Sequence, residues 1–201
     1  TKVTNTALNK SRINSGVVAN NAEIKNSKIH NKNTNVTNFA SNKSSINSGV
    51  NVNGSKIKDS ELKSENTNVR NTATNRSHIN SGISARRAEI KNSKLINKNT
   101  NVINKANNRS TINSGINADR AKIQDSEIHN ENTNVRNTAN NRSHINSGVN
   151  VRGADIKNSK IRNVNTNVTN EAKNQSHINS GIDLGGGAHD GRDLNSINDM
   201  K

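Results

Sequence analysis

The tetrapeptide INSG occurs at residues 13–16, 46–49, 79–82, 112–115, 145–148 and 178–181, so each copy starts 33 residues after the last, without insertion or deletion. A spacing held this strictly constrains the fold more than any other property of the chain, because it makes successive units geometrically equivalent. Equivalent units that cannot bury an apolar face alone stack on one another as solenoids. Composition taken by itself points elsewhere. Only 27% of the residues are hydrophobic, Phe39 is the single aromatic, and the net charge is +15. Such values belong to chains that stay unfolded because apolar burial cannot offset chain entropy. The chain has no proline, however, and that suits uninterrupted β-ladders, which proline breaks.

One unit, residues 36–68, reads VTNFASNKSSINSGVNVNGSKIKDSELKSENTN. Every second residue from Val36 (Asn38, Ala40, Asn42, Ser44, Ile46, Ser48, Val50, Val52) is apolar, small or amide-bearing, the period of a strand with one face inward. Thr37, Ser41, Lys43, Ser45 and Asn51 between them are polar and change from unit to unit, as an outward face does. Gly54 breaks the phase. A second inward set follows at Ser55, Ile57, Ser60 and Leu62, and KSENTN, rich in turn-forming residues, reads as a closing turn. The expected fold is all-β: a β-solenoid, a cross-β-like stack of six 33-residue rungs with parallel in-register strands. Residues 1–184 carry the repeats. Residues 185–201 diverge and form the end of the sixth rung, as a junction to another copy or as a cap. Six rungs at strand spacing stand about 29 Å tall.

Reading the sequence in columns gives each repeated residue a task. Ile13, Ile46, Ile79, Ile112, Ile145 and Ile178 form a core column. Asn38, Asn71, Asn104 and Asn137 form an amide column, and Asn42, Asn75, Asn108 and Asn141 a second. Ser44 and Ser48 belong to hydroxyl columns. A buried amide is costly unless hydrogen-bonded, and identical amides stacked along an axis satisfy one another. Charges alternate in sign at each step in three columns: Glu23, Lys56, Glu89, Lys122, Asp155; Lys28, Glu61, Lys94, Glu127, Lys160; and Lys32, Glu65, Lys98, Glu131, which ends at Val164. Opposite charges favour neighbouring strands and like charges oppose them, so alternation places residues 33 apart side by side. Asp193 falls in the second column after Lys160, and Lys28 of another copy would continue the alternation across a head-to-tail junction.

Chemistry of the enzyme kind is not legible. There is no cysteine, no phosphate-binding glycine loop, and no acid pair apart from the columns, so no enzyme activity and no cofactor are expected. The cysteine-free composition fits a secreted protein that does not depend on oxidation. The chain opens at Thr1 without a signal-peptide pattern, which reads as a mature or trimmed form, and no apolar run is long enough to span a membrane. Lys10, Lys43, Arg76, Arg109 and Arg142 form a column that does not alternate; a basic stripe attracts polyanions such as acidic polysaccharide or extracellular DNA, non-specifically. His78, His144 and His177 share a column that imidazole chemistry would let hold a metal, but it also carries Arg12, Ser45 and Thr111 and reads as a tolerant outward position. The N-x-S motif at Asn9, Asn42 and their equivalents marks glycan acceptors, yet the strand phase puts those asparagines inside. The tail GGGAHDGRDL lacks the spacing of a calcium nonapeptide. Thr34, Thr67, Thr100, Thr133 and Thr166 supply a single hydroxyl row of the sort an ice-binding solenoid multiplies.

At class level, tandem imperfect repeats rich in Asn, Ser and Gly, with ladder-forming polar columns, resemble the secreted bacterial β-solenoid fibre subunits of the functional-amyloid kind, typified by curli and Fap fibres. Curlin repeats are shorter and carry glutamine and aromatic positions that this chain lacks. The resemblance implies an extracellular or cell-surface structural protein of a biofilm matrix that polymerises end to end with itself. Alternative readings are a monomeric solenoid segment of a surface adhesin and an ice-binding or polyanion-binding solenoid.

Overall fold

The computed structural model describes residues 3–185 together with the backbone strands His189–Asp190 and Asp193–Asp199. Its strands pair in parallel and in register with the residue 33 positions on: Val3 faces Val36, Glu61 faces Lys94, and Glu127 faces Lys160. One sheet of eight strands and three of six run along the stack, and no helix occurs among the described residues. The chain is a β-solenoid of parallel, in-register rungs.

A middle rung shows how the sequence makes corners. Glu61–Ala73 is a single strand of 13 residues, bent at Asn68, whose φ is 52°. The chain turns at Asn75 and Arg76 (φ 54° and 64°) into His78–Asn80, kinks at Ser81 and Gly82, and continues through Ile83–Ser84. A turn at Arg87 (φ 55°) leads to Glu89–Lys91, and Asn92 (φ 48°) passes the chain to the next rung. Asparagine recurs at these left-handed positions because its short amide tolerates them better than other L side chains.

Two expectations about the rung are corrected by this path. The segment 63–68, read as a turn, lies within the long strand, and Asn66 and Ser64 are fully buried. Its turn-forming residues are held extended by identical partners above and below, so tertiary stacking overrides local preference. The alternation from Val36 to Val52 is not one strand either: a corner at Asn42 and Lys43 (φ 58° and 64°) interrupts it. Asn42, Asn75, Asn108 and Asn141 are consequently exposed rather than interior. The two-residue corner turns them outward, although the inward phase resumes at Ser44 (1% exposed) and Ile46.

The INSG tetrapeptide marks a bulge. The amides of Ser81 and Gly82 both donate to the Asn113 carbonyl, at 2.8 and 3.1 Å, so two residues oppose one acceptor as in a β-bulge. The Ser81 carbonyl is left facing inward, where Asn66 Nδ2 (2.9 Å) and Ser64 Oγ (3.2 Å) donate to it. One rung on, Asn97 and Asn99 donate to the Ser114 carbonyl at 2.7 and 2.9 Å. The glycine is fixed by proximity: a Cβ on Gly82 would sit 2.0 Å from the Gly115 carbonyl oxygen, and one on Gly115 equally close to that of Gly148.

This bulge divides the core. Ile79 and Ala73 belong to one apolar cluster, whereas Ile83, Ile90 and Leu95 belong to a larger one, and Val36, Val69, Val102 and Val135 form a third. Ser81, between Ile79 and Ile83, anchors a polar seam of buried Asn and Ser between the first two. Ile46, Ile79, Ile112 and Ile145 are fully buried, while Ile13 and Ile178, placed in the same column, are only partly so. Each of those two has a neighbouring rung on one side only.

Candidate functional site: the rung face and a basic corner groove

Two surfaces carry chemistry that repeats with the rung. The first is the face by which one rung meets the next. Inside, Asn5, Asn38, Asn71, Asn104, Asn137 and Asn170 form a continuous ladder in which each Nδ2 donates to the Oδ1 of the following rung at 2.8–2.9 Å. Ser48 accepts from Asn38 at 2.8 Å and stands 3.5 Å from Ser81 Oγ. Sequence reasoning missed a second interior ladder at Asn33, Asn66, Asn99, Asn132 and Asn165, with donor distances of 2.7–2.9 Å. Its repetition in a column was the signal, masked by the turn-like composition. A third column, Asn31, Ser64, Asn97, Asn130 and Asn163, carries serine at 64 within an otherwise asparagine run, and backbone pairing continues it to Ser196; Asn97 donates to Asn130 at 2.8 Å and Asn130 to Asn163 at 2.7 Å. Three side-chain oxygens, Ser44 Oγ, Asn51 Oδ1 and Asn97 Oδ1, are buried without a partner. For Asn97 the cause is local: the residue that would donate to it is Ser64.

The charge columns lie on the outside, in the register expected of them. Lys94 meets Glu127 at 3.5 Å and Lys98 meets Glu131 at 3.1 Å. Among the described residues the column Glu23, Lys56, Glu89, Lys122 and Asp155 pairs in register without ion pairs within 4.0 Å. Lys28, Glu61 and Lys160 likewise align without closing such pairs. Alternation there relieves repulsion across rungs rather than building bridges. Glu65 is held below the usual carboxylate range first by a hydrogen bond from Lys63, then by His30; Lys98 and then His129 do the same for Glu131. Backbone pairing sets Asp193 opposite Lys160, and the proposed junction of the Asp193 side chain with Lys28 lies outside the described residues.

The second surface is the corner at Asn42 and Lys43 and its equivalents. Asn9, Asn42, Asn75, Asn108, Asn141 and Asn174 form an exposed amide ladder, each donating to the preceding rung at 2.9–3.1 Å. Beside it run Lys10, Lys43, Arg76, Arg109, Arg142 and Gln175, all exposed. The two rows line a groove of about 1070 Å³ along the stack. Close by, His144 and His177 stack with ring centroids 4.8 Å apart and planes 30° from parallel. Partial burial, then the charges of His177 and Arg152, push the His144 imidazole below its ordinary range. No cluster of three or more metal-ligating side chains occurs among the described residues, and no helix among them is long and apolar enough to cross a membrane.

In comparisons with known proteins, no family model and no curated protein matches the chain.

Proposed function

We propose that this protein is an extracellular structural subunit that extends its rung stack from chain to chain into a fibre of a biofilm matrix or cell surface. The observation that supports this reading is the polarity of the rung face. Every amide column donates in a single direction along the axis: the interior columns of Asn38 and Asn66 donate to the following rung, whereas the buried column of Asn80, Asn113 and Asn146 and the corner column of Asn42 donate to the preceding one. In its amides, a rung's leading face is therefore complementary to the trailing face of another rung. A head-to-tail contact continues every ladder, whereas a head-to-head contact sets carbonyl against carbonyl. Such a heterologous contact, repeated without closing, generates a filament. The class-level likeness to functional-amyloid subunits runs in the same direction, and the alternating charges act as a register key because a one-rung slip brings like charges together.

Gly181 supplies a test that separates assembly from folding. A Cβ there meets nothing within 4 Å, whereas one on Gly148 meets the Gly181 carbonyl oxygen at 2.0 Å. Gly181→Ala leaves the subunit's own contacts intact but places a methyl group where another rung would dock. Electron microscopy of the wild-type protein near neutral pH is expected to show unbranched fibres with an axial repeat of about 29 Å, six strand spacings. Gly181→Ala is expected to melt at the wild-type temperature and form none. Discrete wild-type particles, or equal fibre formation by Gly181→Ala, would overturn the reading.

A further inference from the structure

The corner groove carries in every rung a local expense that the other corners carry only in some. Lys10, Lys43, Arg76, Arg109 and Arg142 have φ of 61–67°, a region that L side chains other than Asn adopt at a penalty. At the corner formed by Asn21, Gly54, Arg87, Arg120 and Gly153, three of the five rungs place Asn or Gly. The groove column never does; its sixth member, Gln175, is also a long polar side chain, with φ 60°. The like charges of this column also stand one strand spacing apart, where the columns around Lys56 and Lys94 alternate. Another same-sign column, Lys25, Lys58, Lys91, Gln124 and Lys157, has Glu23, Glu89 and Asp155 two residues away and ordinary strand geometry. No carboxylate lines the groove. The ten-residue segments that flank it (3–12, 36–45 and their equivalents through 168–177) hold ten of the chain's 30 lysines and arginines and one of its 15 acids, Glu171. Strain and repulsion maintained together at one site point to a functional surface whose ligand offsets the repulsion.

We propose that this groove binds a linear acidic polysaccharide lying along the solenoid axis. Five consecutive rungs each offer one cation for a carboxylate, and beside it one exposed carboxamide whose remaining N–H and lone pair suit sugar hydroxyls. An extended uronic acid chain carries one carboxylate per ring, and a ring is close in length to the rung spacing of about 4.8 Å. Duplex DNA fits less well: its phosphates recur every ~3.4 Å per strand and wind around the helix, out of step with a straight row of cations. Single strands need aromatic platforms, and the groove has none. The proposal concerns one chain and stands whether or not chains stack.

Polygalacturonate oligomers, neutral dextran and duplex DNA would be titrated into the protein at low and moderate salt, with affinity followed by calorimetry. The groove variant is Arg76→Gln/Arg109→Gln/Arg142→Gln, chosen because Gln175 already occupies this column at φ 60°. The control, Lys58→Gln/Lys91→Gln/Lys157→Gln, removes the same charge elsewhere. Circular dichroism melts would check that both fold. Salt-sensitive binding of polygalacturonate, absent for dextran, is expected, with a loss of roughly tenfold in the groove variant for three exposed ion pairs and little loss in the control. Equal losses in both variants would reduce the groove to diffuse charge attraction and overturn the proposal. So would tighter binding of DNA than of polygalacturonate at equal charge concentration, which would make the surface one for nucleic acid.

Discussion

Replacing Ser64 by asparagine should stabilise the protein. Position 64 lies between Asn31 and Asn97 in a column that carries asparagine at Asn31, Asn97, Asn130 and Asn163. Ser64 is fully buried, and its hydroxyl donates to the Ser81 carbonyl at 3.2 Å. It cannot also reach Asn97 Oδ1, which is left buried without a donor. An asparagine can do both, as Asn97 does when it donates to Ser114 at 2.7 Å and to Asn130 at 2.8 Å. Satisfying an orphaned buried acceptor removes a penalty of about 1–3 kcal/mol, and the larger side chain loses some rotamer freedom, so a net gain of about 1 kcal/mol is expected. Chemical denaturation followed by circular dichroism would report it as a raised midpoint at unchanged slope. The reverse substitution, Asn130→Ser, should create the same orphan at Asn163 Oδ1, to which Asn130 now donates at 2.7 Å, and lower stability by a comparable amount. A Ser64→Asn variant no more stable than wild type, alongside an Asn130→Ser variant that loses nothing, would refute the idea that continuous amide ladders set the interior energetics.

Gly115→Ala places a methyl group 2.0 Å from the Gly148 carbonyl oxygen; because backbone rather than a flexible side chain must yield, the loss should reach at least the upper end of overpacking, about 3 kcal/mol, readable as a drop in melting temperature. Acidification should weaken the fold in two steps of the same sign. The depressed imidazoles of His144 and His78 make stability fall as pH drops below 6.5, and the depressed Glu65 and Glu131 carboxyls make it fall again below 4.5. Melting temperatures at a series of pH values would show both steps, and replacing both histidines by threonine, the residue their column carries at Thr111, should flatten the first while leaving the second, with His144→Thr alone shrinking it.

The solenoid was legible in the sequence because its evidence lies between repeats: an unbroken spacing, columns of identical residues and columns of opposed charge all require residues 33 apart to touch. The rung's outline was not legible because asparagine does three different things in it. Asn38 is an interior ladder member, Asn42 a left-handed corner exposed to solvent, and Asn66 a strand residue that donates to a bulge carbonyl at 2.9 Å. All three form amide chains to their copies, so column identity does not separate them. Strand parity fails as well, since the corner at Asn42 and Lys43 turns outward and the inward phase resumes at Ser44 as if nothing had intervened. The basic column was the one external clue to that corner.

Inside and outside obey opposite rules for one physical reason. An amide or hydroxyl that donates and accepts is satisfied by its own copy, so interior columns favour identity, and a single exception such as Ser64 strands a partner in the adjacent rung. A charge is opposed by its own copy, so exterior columns favour alternation, as Lys94 and Glu127 show at 3.5 Å. The groove column breaks the exterior rule in five consecutive rungs while holding its residues at φ of 61–67°. Neither stacking nor solvation accounts for that combination, because alternating charges or glycine would serve both at lower cost. A chain of fixed negative charges along the axis reverses the balance: identity of sign then becomes the favourable choice outside, as identity of amide is within.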